Sequence, residues 1–204
     1  HSNNREDIDE AFAGDIVAAV AADDREIADR ALALIKVTYV ELTPVFDPLE
    51  AAAAETNLLH PDFNTYMGAK PQETPSNVFV TSTWGAGDPE AGFTDSDMII
   101  EGMYSTAMMH QAYMETHTCL VSCRDDGEVD VWASNKGPHG LRRDVALTAN
   151  VHPPAIHIHH TSIGGDFGGK GGQMNIPIAY FLSRASRKPV RMVMEHLVVL
   201  ATLV

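Results

Sequence analysis

The chain has 204 residues, 28 of them acidic and 14 of them Lys or Arg, and this gives a formal net charge of -14. The acidic excess and the lack of a Lys/Arg-rich block exclude a nucleic-acid partner. Hydrophobic residues make up 45% of the chain, but no apolar run has bilayer-spanning length, so a globular protein rather than a membrane protein is indicated. The two cysteines are too few for a disulfide scaffold or a four-cysteine iron–sulfur site. We therefore expect reduced thiols and a cytoplasmic location.

The first part of the chain predicts a strand, a helix and a second strand. Residues 15–24 form a short apolar segment that ends in two acidic residues. A helix is expected next, because Ile27 and Leu34 belong to a set of apolar residues at helical spacing behind a possible Asp24 cap. Residues 37–42 (VTYVEL) are rich in β-branched and aromatic side chains, and this composition predicts a strand.

The composition then changes to a polar, proline-rich stretch without periodicity. This stretch occupies residues 58–77, and we predict a linker there, extended to residue 94. At the other end of the chain, residues 197–204 (LVVLATLV) are an uncapped apolar run. An exposed apolar end is costly, so the chain is expected to be a piece of something larger or half of an assembly.

From about Asp95 onward the pattern predicts an α+β region. Asp126-Gly127 between two apolar strands is a strong hairpin signal. Pro177 is expected to interrupt the second of two predicted helices early. The predicted strands are 97–106, 116–123, 129–134, 155–160 and 190–194, and the predicted helices are 140–151 and 171–187.

A glycine-rich segment, SIGGDFGGKGG at residues 162–172, lies between a predicted strand and a predicted helix. Such a loop lets backbone N–H groups approach an anion or a cofactor closely. Its spacing is neither the dinucleotide fingerprint nor a Walker loop, because Lys170 is followed by glycine. Contact with a cofactor is favoured over a simple tight turn.

Several other residue groups have two readings. His157 and His159 share one face of a predicted strand and His160 lies on the other, which favours polar strand residues over a metal site. Glu115 is either a carboxylate close to a cofactor or a hydrogen-bonded structural group. Cys119 and Cys123 are expected to be buried thiols rather than a redox pair. A loose methionine cluster is expected to pack in the core rather than to bind a metal; its members are Met103, Met108, Met109 and Met114.

The glycine loop, GGDFGGKG, together with the preceding block HQAYMETHTCLVSCRDDGEVDVWASNKGP, resembles the molybdenum-binding subunit of the xanthine dehydrogenase and aldehyde oxidase family. Residues 14–48 are similar to the end of the family's hammerhead domain, and KPVRMVMEH resembles the strand after the loop and its helix. The resemblance implies an α+β fold with three parts. These are the end of a hammerhead domain at 1–57, a linker at 58–94 and the first part of a molybdopterin-binding domain at 95–204.

Carried over by position, the resemblance places Phe167 and Gly168 next to the molybdenum, with their backbone N–H groups facing its ligands. Gly164, Gly165 and Gly169 match the loop residues that permit this approach. In WASNKGP, Lys136 stands where the family commonly has a glutamine that reaches toward the metal's apical oxygen. Lys136 is thus a candidate to contact the cofactor beyond the metal's direct ligands.

Two further positions depart from the family pattern. Asp166 replaces a glycine of the best-known members, and Gly171 stands where purine-oxidising members carry a substrate-binding glutamate. The resemblance therefore does not imply xanthine as a substrate. The family's catalytic base, a glutamate, is expected outside this chain, so no catalytic residue is assigned within it.

The resemblance implies part of a molybdenum hydroxylase that oxidises an aldehyde or N-heterocycle with water-derived oxygen at a molybdopterin centre. Iron–sulfur clusters and FAD are expected on partner chains, together with the rest of the molybdenum subunit, because two cysteines cannot ligate a cluster. The isolated chain is expected to be inactive. The alternative is a non-catalytic α/β binding or assembly module whose glycine loop only turns the chain.

Overall fold

A computed structural model describes residues 16–53, 58–66, 69–107 and 109–195. The described helices and strands occur in a mixed order along the chain. They are α1 (Arg25–Leu32), α2 (Pro48–Ala53), α3 (Pro89–Thr94), β1 (Thr118–Cys123), β2 (Val129–Ala133), α4 (Pro138–Ala149), β3 (Ile156–His159), α5 (Ile176–Ser186) and β4 (Val190–Val193).

The strands form one open four-stranded sheet in the order β3-β2-β1-β4. β1 pairs antiparallel with β2 and with β4, whereas β2 and β3 are parallel and are connected through α4. The predicted hairpin between β1 and β2 is confirmed. Its turn places Gly127 at φ +90°, and Arg124 N–H donates to the Glu128 carbonyl at 2.8 Å. The coarse α+β prediction is therefore correct.

The hydrophobic core lies between one face of this sheet and the helices α4 and α5. Alternation along β2 buries Val129, Val131 and Ala133 on that face and leaves Asp130 and Trp132 on the other. Leu141 and Val145 of α4 are fully buried because they are one helical turn apart on the side that faces the sheet. Burial of this apolar stripe is the main stabilising contribution to the sheet region.

The predicted helices all occur, but two of them differ from the prediction in extent. α1 ends at Leu32, so Leu34 of the predicted apolar set lies beyond the helix and is 81% exposed. In α1, the Asp24 side chain caps the helix by accepting from Ile27 N at 2.8 Å, as the sequence pattern predicts. Pro177 does not interrupt α5 but lies in its first turn, since the helix begins at Ile176 rather than at residue 171. A proline is compatible with this position because the first N–H groups of a helix have no intrahelical acceptor.

Three strand predictions are wrong. The described part of 15–24, together with 37–42 and 97–106, is extended or irregular and belongs to no strand. Their apolar side chains lie at the surface, with Val40 87% exposed and Ile100 84% exposed. High β-propensity does not by itself make a strand, because a strand needs a neighbour to accept its hydrogen bonds and cover its side chains.

The predicted linker contains local structure. A short 3₁₀ turn occurs at Phe63–Thr65, and α3 lies near its end. Asn64 and Gln72 exchange two hydrogen bonds, with Gln72 N donating to Asn64 Oδ1 at 2.7 Å and Asn64 Nδ2 donating to the Gln72 carbonyl at 2.9 Å. Side-chain amides therefore organise a segment that has few buried apolar groups.

By internal contacts the chain divides into two compact units. One combines the residues up to Val37 with those from Ala107 onward, and the other is Thr38–Thr106. The sequence-based division into 1–57, 58–94 and 95–204 stays a prediction. The apolar run at 197–204 lies outside the described residues. Over the part of the chain that is described, none of the helices has both the length and the apolar character required for a membrane crossing.

Candidate functional site

The glycine loop connects β3 to α5, as predicted, and the Asp166 side chain organises it. Asp166 Oδ1 accepts from Lys170 N at 2.5 Å, and Oδ2 accepts from Gly168 N at 3.1 Å. The Asp166 carbonyl also accepts from Gly169 N at 2.8 Å. The loop is therefore folded around this aspartate.

Lys136 joins the loop from the turn between β2 and α4. Its Nζ donates to Asp166 Oδ2 at 2.8 Å, and its backbone N–H donates to the Lys170 carbonyl at 3.0 Å. The Lys136 ammonium lowers the pKa of the Asp166 carboxyl, helped by the backbone N–H groups that this carboxylate accepts. The two departures identified from sequence, Lys136 and Asp166, thus contact each other.

A second ion pair lies beneath the loop. Lys170 is 0% exposed, and its ammonium pairs with the Glu115 carboxylate while lying 4.9 Å from the centre of the Tyr113 ring. Glu115 also accepts from Gly164 N at 2.8 Å. Glu115 therefore has the contacts of a hydrogen-bonded structural carboxylate. These contacts connect the segment before β1 to the start of the glycine loop.

Burial and hydrogen bonding shift the pKa values of three groups in this region. Desolvation acts to raise the pKa of Glu115, but the hydrogen bonds from Lys170 and from Gly164 N–H outweigh it, and the net shift is downward. Desolvation and the Lys170 charge lower the pKa of His117, whose Nε2 lies 2.8 Å from the Tyr113 hydroxyl. Burial raises the pKa of Tyr113. At neutral pH the carboxylate is therefore charged, and the tyrosine and the histidine are neutral.

The tip of the loop keeps backbone donors available. Among the described residues, the N–H groups of Gly165, Asp166 and Phe167 donate no hydrogen bond. Phe167 has φ +46° and is 75% exposed, and its ring lies beside Gly165, where an added Cβ would be 3.3 Å from Phe167 Cε2. Successive free N–H groups in a glycine-rich turn are suited to an anionic ligand.

Gly168 and Gly169 are required for different reasons. A Cβ on Gly169 would lie 2.5 Å from Tyr113 Cε1, so close packing against the tyrosine excludes a side chain there. A Cβ on Gly168 would meet nothing within 4 Å, but its φ of +97° favours glycine. The open space at Gly168 leaves room for a ligand to approach the backbone.

Sequence reasoning missed two buried polar groups, one of which lies beside the loop. The buried atoms His110 Nε2 and Gln111 Oε1 have no hydrogen-bond partner within the described part of the chain. Gln111 Oε1 would lie 3.3 Å from a Cβ on Gly169, so it borders the loop. A buried amide oxygen without a donor is costly and is typical of a position that meets a ligand or water. The two adjacent polar residues in HQAYMETH were the available signal.

The histidines of β3 are not brought together as a metal site. His157 Nε2 pairs with Glu128, and His159 Nε2 pairs with Asp130 at 2.7 Å while its ring stacks on Trp132. Within the described ranges, no group of three or more His, Cys, Asp or Glu side chains is arranged to hold a metal ion. That these histidines are polar strand residues rather than metal ligands stays a prediction.

The sulfur-containing residues give one agreement and one correction. Cys119 is buried, Cys123 is half-buried, and both are free thiols. The methionine cluster was expected to fill the core, and this is wrong for three of its members. Met103, Met109 and Met114 are 99%, 82% and 89% exposed, and Met108 lies outside the described residues.

Comparison with known proteins identifies the family. The model of the molybdopterin cofactor-binding domain matches residues 70–201, which is more than half of the chain. The chain belongs to this family. The resemblance to a molybdenum-binding subunit is thereby confirmed, and the glycine loop lies inside the matched region.

Relatives of this molybdopterin-binding chain include components of bacterial enzymes. The xanthine dehydrogenase molybdenum-binding subunit of Escherichia coli is 30% identical over 170 residues, which cover 83% of this chain and 21% of that protein. The carbon monoxide dehydrogenase large chain of Hydrogenophaga pseudoflava is 32% identical over 166 residues, which cover 76% and 20%. The chain therefore spans about a fifth of the length of these curated relatives.

Solved structures agree with the fold. A crystal structure of the Cu,Mo-CO dehydrogenase superposes with a TM-score of 0.73 at 27% identity, and the match covers 88% of this chain and 23% of that one. Quinoline 2-oxidoreductase from Pseudomonas putida 86 superposes with a TM-score of 0.69 at 24% identity, a likeness of fold alone.

Proposed function

We propose that this chain is the part of a molybdenum hydroxylase that contacts the pterin-bound molybdenum centre. The complete enzyme would be an oxidoreductase that oxidises an aldehyde or an N-heterocycle with water-derived oxygen. The observation that carries the proposal is the free N–H groups of Gly165, Asp166 and Phe167 at the tip of the loop, in a chain of the molybdopterin-binding family.

The residues present fit an anionic cofactor. The loop tip offers unpaired donors, the position of Gly168 is open, and Gln111 Oε1 beside the loop lacks a partner within the described residues. When bound, the molybdenum–pterin group supplies two-electron oxidation chemistry. The protein's contribution is to hold this group with fixed backbone donors.

Each predicted residue has a role in this proposal. Phe167 and Gly168 approach the metal end of the cofactor through their backbone. Gly164, Gly165 and Gly169 allow the loop to come that close, and Gly164 is fixed by its hydrogen bond to Glu115. The Lys136 ammonium, at the end of a flexible stem, is the cationic donor for an oxo group.

The wider assembly is also part of the proposal. Residues 1–57 would be the end of a hammerhead domain, 58–94 a linker and 95–204 the start of the cofactor domain. Partner chains or regions would carry iron–sulfur clusters, FAD and the catalytic glutamate, in the cytoplasm. The exposed apolar side chains of 97–106 support further protein in contact with this chain, because large exposed apolar patches mark interaction surfaces.

Xanthine itself is not the substrate that this proposal favours. Gly171 cannot supply the carboxylate that purine-oxidising members carry at that position, and Asp166 is turned toward Lys136 and the loop backbone. A small aldehyde or a simple N-heterocycle needs no such carboxylate.

Molybdenum and pterin content of the complete purified protein tests the proposal. We expect both in wild type, and we expect Gly168→Val to lose them because a β-branched residue is strained at φ +97°. Gly172→Val is the matched control, since a Cβ at Gly172 meets nothing within 4 Å and its φ is not positive. Wild-type protein without molybdenum and pterin would instead favour the non-catalytic module.

A further inference from the structure

One oxygen atom of Asp166 accepts hydrogen bonds from two donors that the proposed function assigns to a ligand. Lys136 Nζ lies 2.8 Å and Gly168 N lies 3.1 Å from the same atom, Asp166 Oδ2. A carboxylate oxygen and a ligand oxyanion compete for the same donors because both are anionic acceptors.

The Asp166 side chain is well held in this position. Its other oxygen, Oδ1, accepts from Lys170 N at 2.5 Å. Lys170 is itself fixed by the buried pair with Glu115, so the backbone donor to Oδ1 does not move freely. The aspartate side chain is 24% exposed and the lysine 48%, so an incoming ligand can reach both of them.

The two contacts of Asp166 Oδ2 differ in kind. The bond from Gly168 N, two residues on, is an Asx turn that aspartate commonly forms, whereas Lys136 comes from another turn of the chain and brings a charge to the same oxygen. The space beside the Gly168 Cα, where a side chain would lie, is open. A ligand oxygen that reached the loop from this side would compete with the carboxylate for both donors.

We propose that Asp166 is an internal competitor of the ligand, its carboxylate holding Lys136 and Gly168 until an oxygen of an anionic ligand displaces it. This inference rests on the proposed function for the identity of the ligand, whose oxygen is either an oxo group on the metal or a phosphate. Asp166 then acts by controlling access to the donors and is not a catalytic residue.

The inference is tested by oxyanion binding to the complete protein, prepared from cells without molybdenum. Isothermal titration with molybdate is compared between wild type and Asp166→Gly, which removes the competing carboxylate. If the carboxylate holds the donors about nine-tenths of the time, its removal should tighten molybdate binding about tenfold. Equal or weaker binding in this variant overturns the inference.

Asp166→Asn protects the test against a folding defect in the glycine variant. Its amide oxygen still accepts from Lys170 N, whereas its NH₂ group faces Lys136 and Gly168 and cannot accept from them. We expect tighter molybdate binding here as well, and no gain would count against the inference. Asp144→Asn is the control and should leave affinity unchanged, because within the described residues the Asp144 side chain pairs only with the exposed Arg143 side chain on α4.

Two further arms separate the sources of the effect. Adding Lys136→Met to Asp166→Gly should abolish the gain, because the cationic donor is then missing, and a persistent gain contradicts the inference. A parallel titration with inorganic phosphate identifies the oxygen. A gain for molybdate alone supports competition with the oxo group, a gain for phosphate alone supports competition with the pterin phosphate, and a gain for neither overturns both.

The failure of this inference is distinguishable from the failure of the proposed function. Wild-type protein that contains molybdenum and pterin, but whose Asp166 variants show no gain in oxyanion affinity, keeps the function and loses the competitor. The opposite outcome is wild-type protein that lacks molybdenum and pterin, with an Asp166→Gly variant that binds oxyanions about tenfold more tightly than wild type. That result supports the competing carboxylate and overturns the ligand assigned to the site.

Discussion

Glu115 and Lys170 form an ion pair in which the lysine side chain is 0% exposed and the glutamate side chain is 35% exposed. The two residues are separated by 55 positions in sequence, so the pair connects the segment before β1 to the glycine loop. A buried ammonium needs its partner more than a half-exposed carboxylate does, because the carboxylate retains contact with water.

The first prediction follows from this asymmetry. Glu115→Gln should destabilise the protein by about 3–5 kcal/mol, since it leaves the Lys170 ammonium buried without a charged partner. Lys170→Met should cost less, because Glu115 can be solvated and still accepts from Gly164 N. Urea denaturation followed by circular dichroism measures both values.

The double variant Glu115→Gln/Lys170→Met completes the cycle and should be more stable than Glu115→Gln alone. Lys188→Met is the exposed control. Lys188 pairs with Asp23 at 2.8 Å, but the two side chains are 68% and 80% exposed, so the loss should be at most about 1 kcal/mol. Equal costs for the Glu115 and Lys170 single variants would refute the asymmetry.

The second prediction concerns the close approach of Gly169 to Tyr113. Gly169→Ala should destabilise the protein by about 1–3 kcal/mol, because its Cβ would lie 2.5 Å from the ring atom Cε1 and force the ring to move. Gly172→Ala should be nearly neutral. Thermal unfolding of both variants measures the difference. If Gly172→Ala lowered Tm as much as Gly169→Ala, the Tyr113 contact would not be the reason that glycine is required at position 169.

The third prediction concerns Lys136 in the complete enzyme. Lys136→Gln should keep the cofactor and change the turnover, because a glutamine amide can still donate to an oxo group. Lys136→Ala should reduce turnover by about tenfold or more, the effect of losing one oxyanion donor. Steady-state kinetics, normalised to molybdenum content, provides the measurement. Wild-type rates in the alanine variant would remove Lys136 from the site.

The fourth prediction concerns the two thiols. Burial raises the pKa of Cys119 to about 11 and also raises that of Cys123. A raised thiol pKa means that little thiolate is present at pH 8, so both residues should react slowly with iodoacetamide in the folded protein. Mass spectrometry of the alkylated peptides tests this, with urea-unfolded protein as the fast control. Rapid labelling of folded Cys119 would contradict its burial.

Local sequence determined the parts of the fold that depend on neighbouring residues. The β1–β2 hairpin follows from Asp126-Gly127 because the turn needs a residue that accepts positive φ, and Gly127 takes φ +90°. The start of α1 follows from the Asp24 side chain, which caps the helix within its first turn. The sequence also located the glycine loop between a strand and a helix. Its composition permits little regular structure, and this too is a property of neighbouring residues.

Only the tertiary structure decided which extended segments became strands and what the polar loop residues contact. Residues 37–42 have strand composition but pair with no strand in the part of the chain that the structure describes, and pairing is a non-local property. Sequence alone likewise identified Lys136 and Asp166 as separate departures, whereas the fold brings their charged groups to 2.8 Å across 30 positions. The complete burial of Lys170 was not visible in sequence, because it depends on the distant carboxylate of Glu115 that compensates its charge.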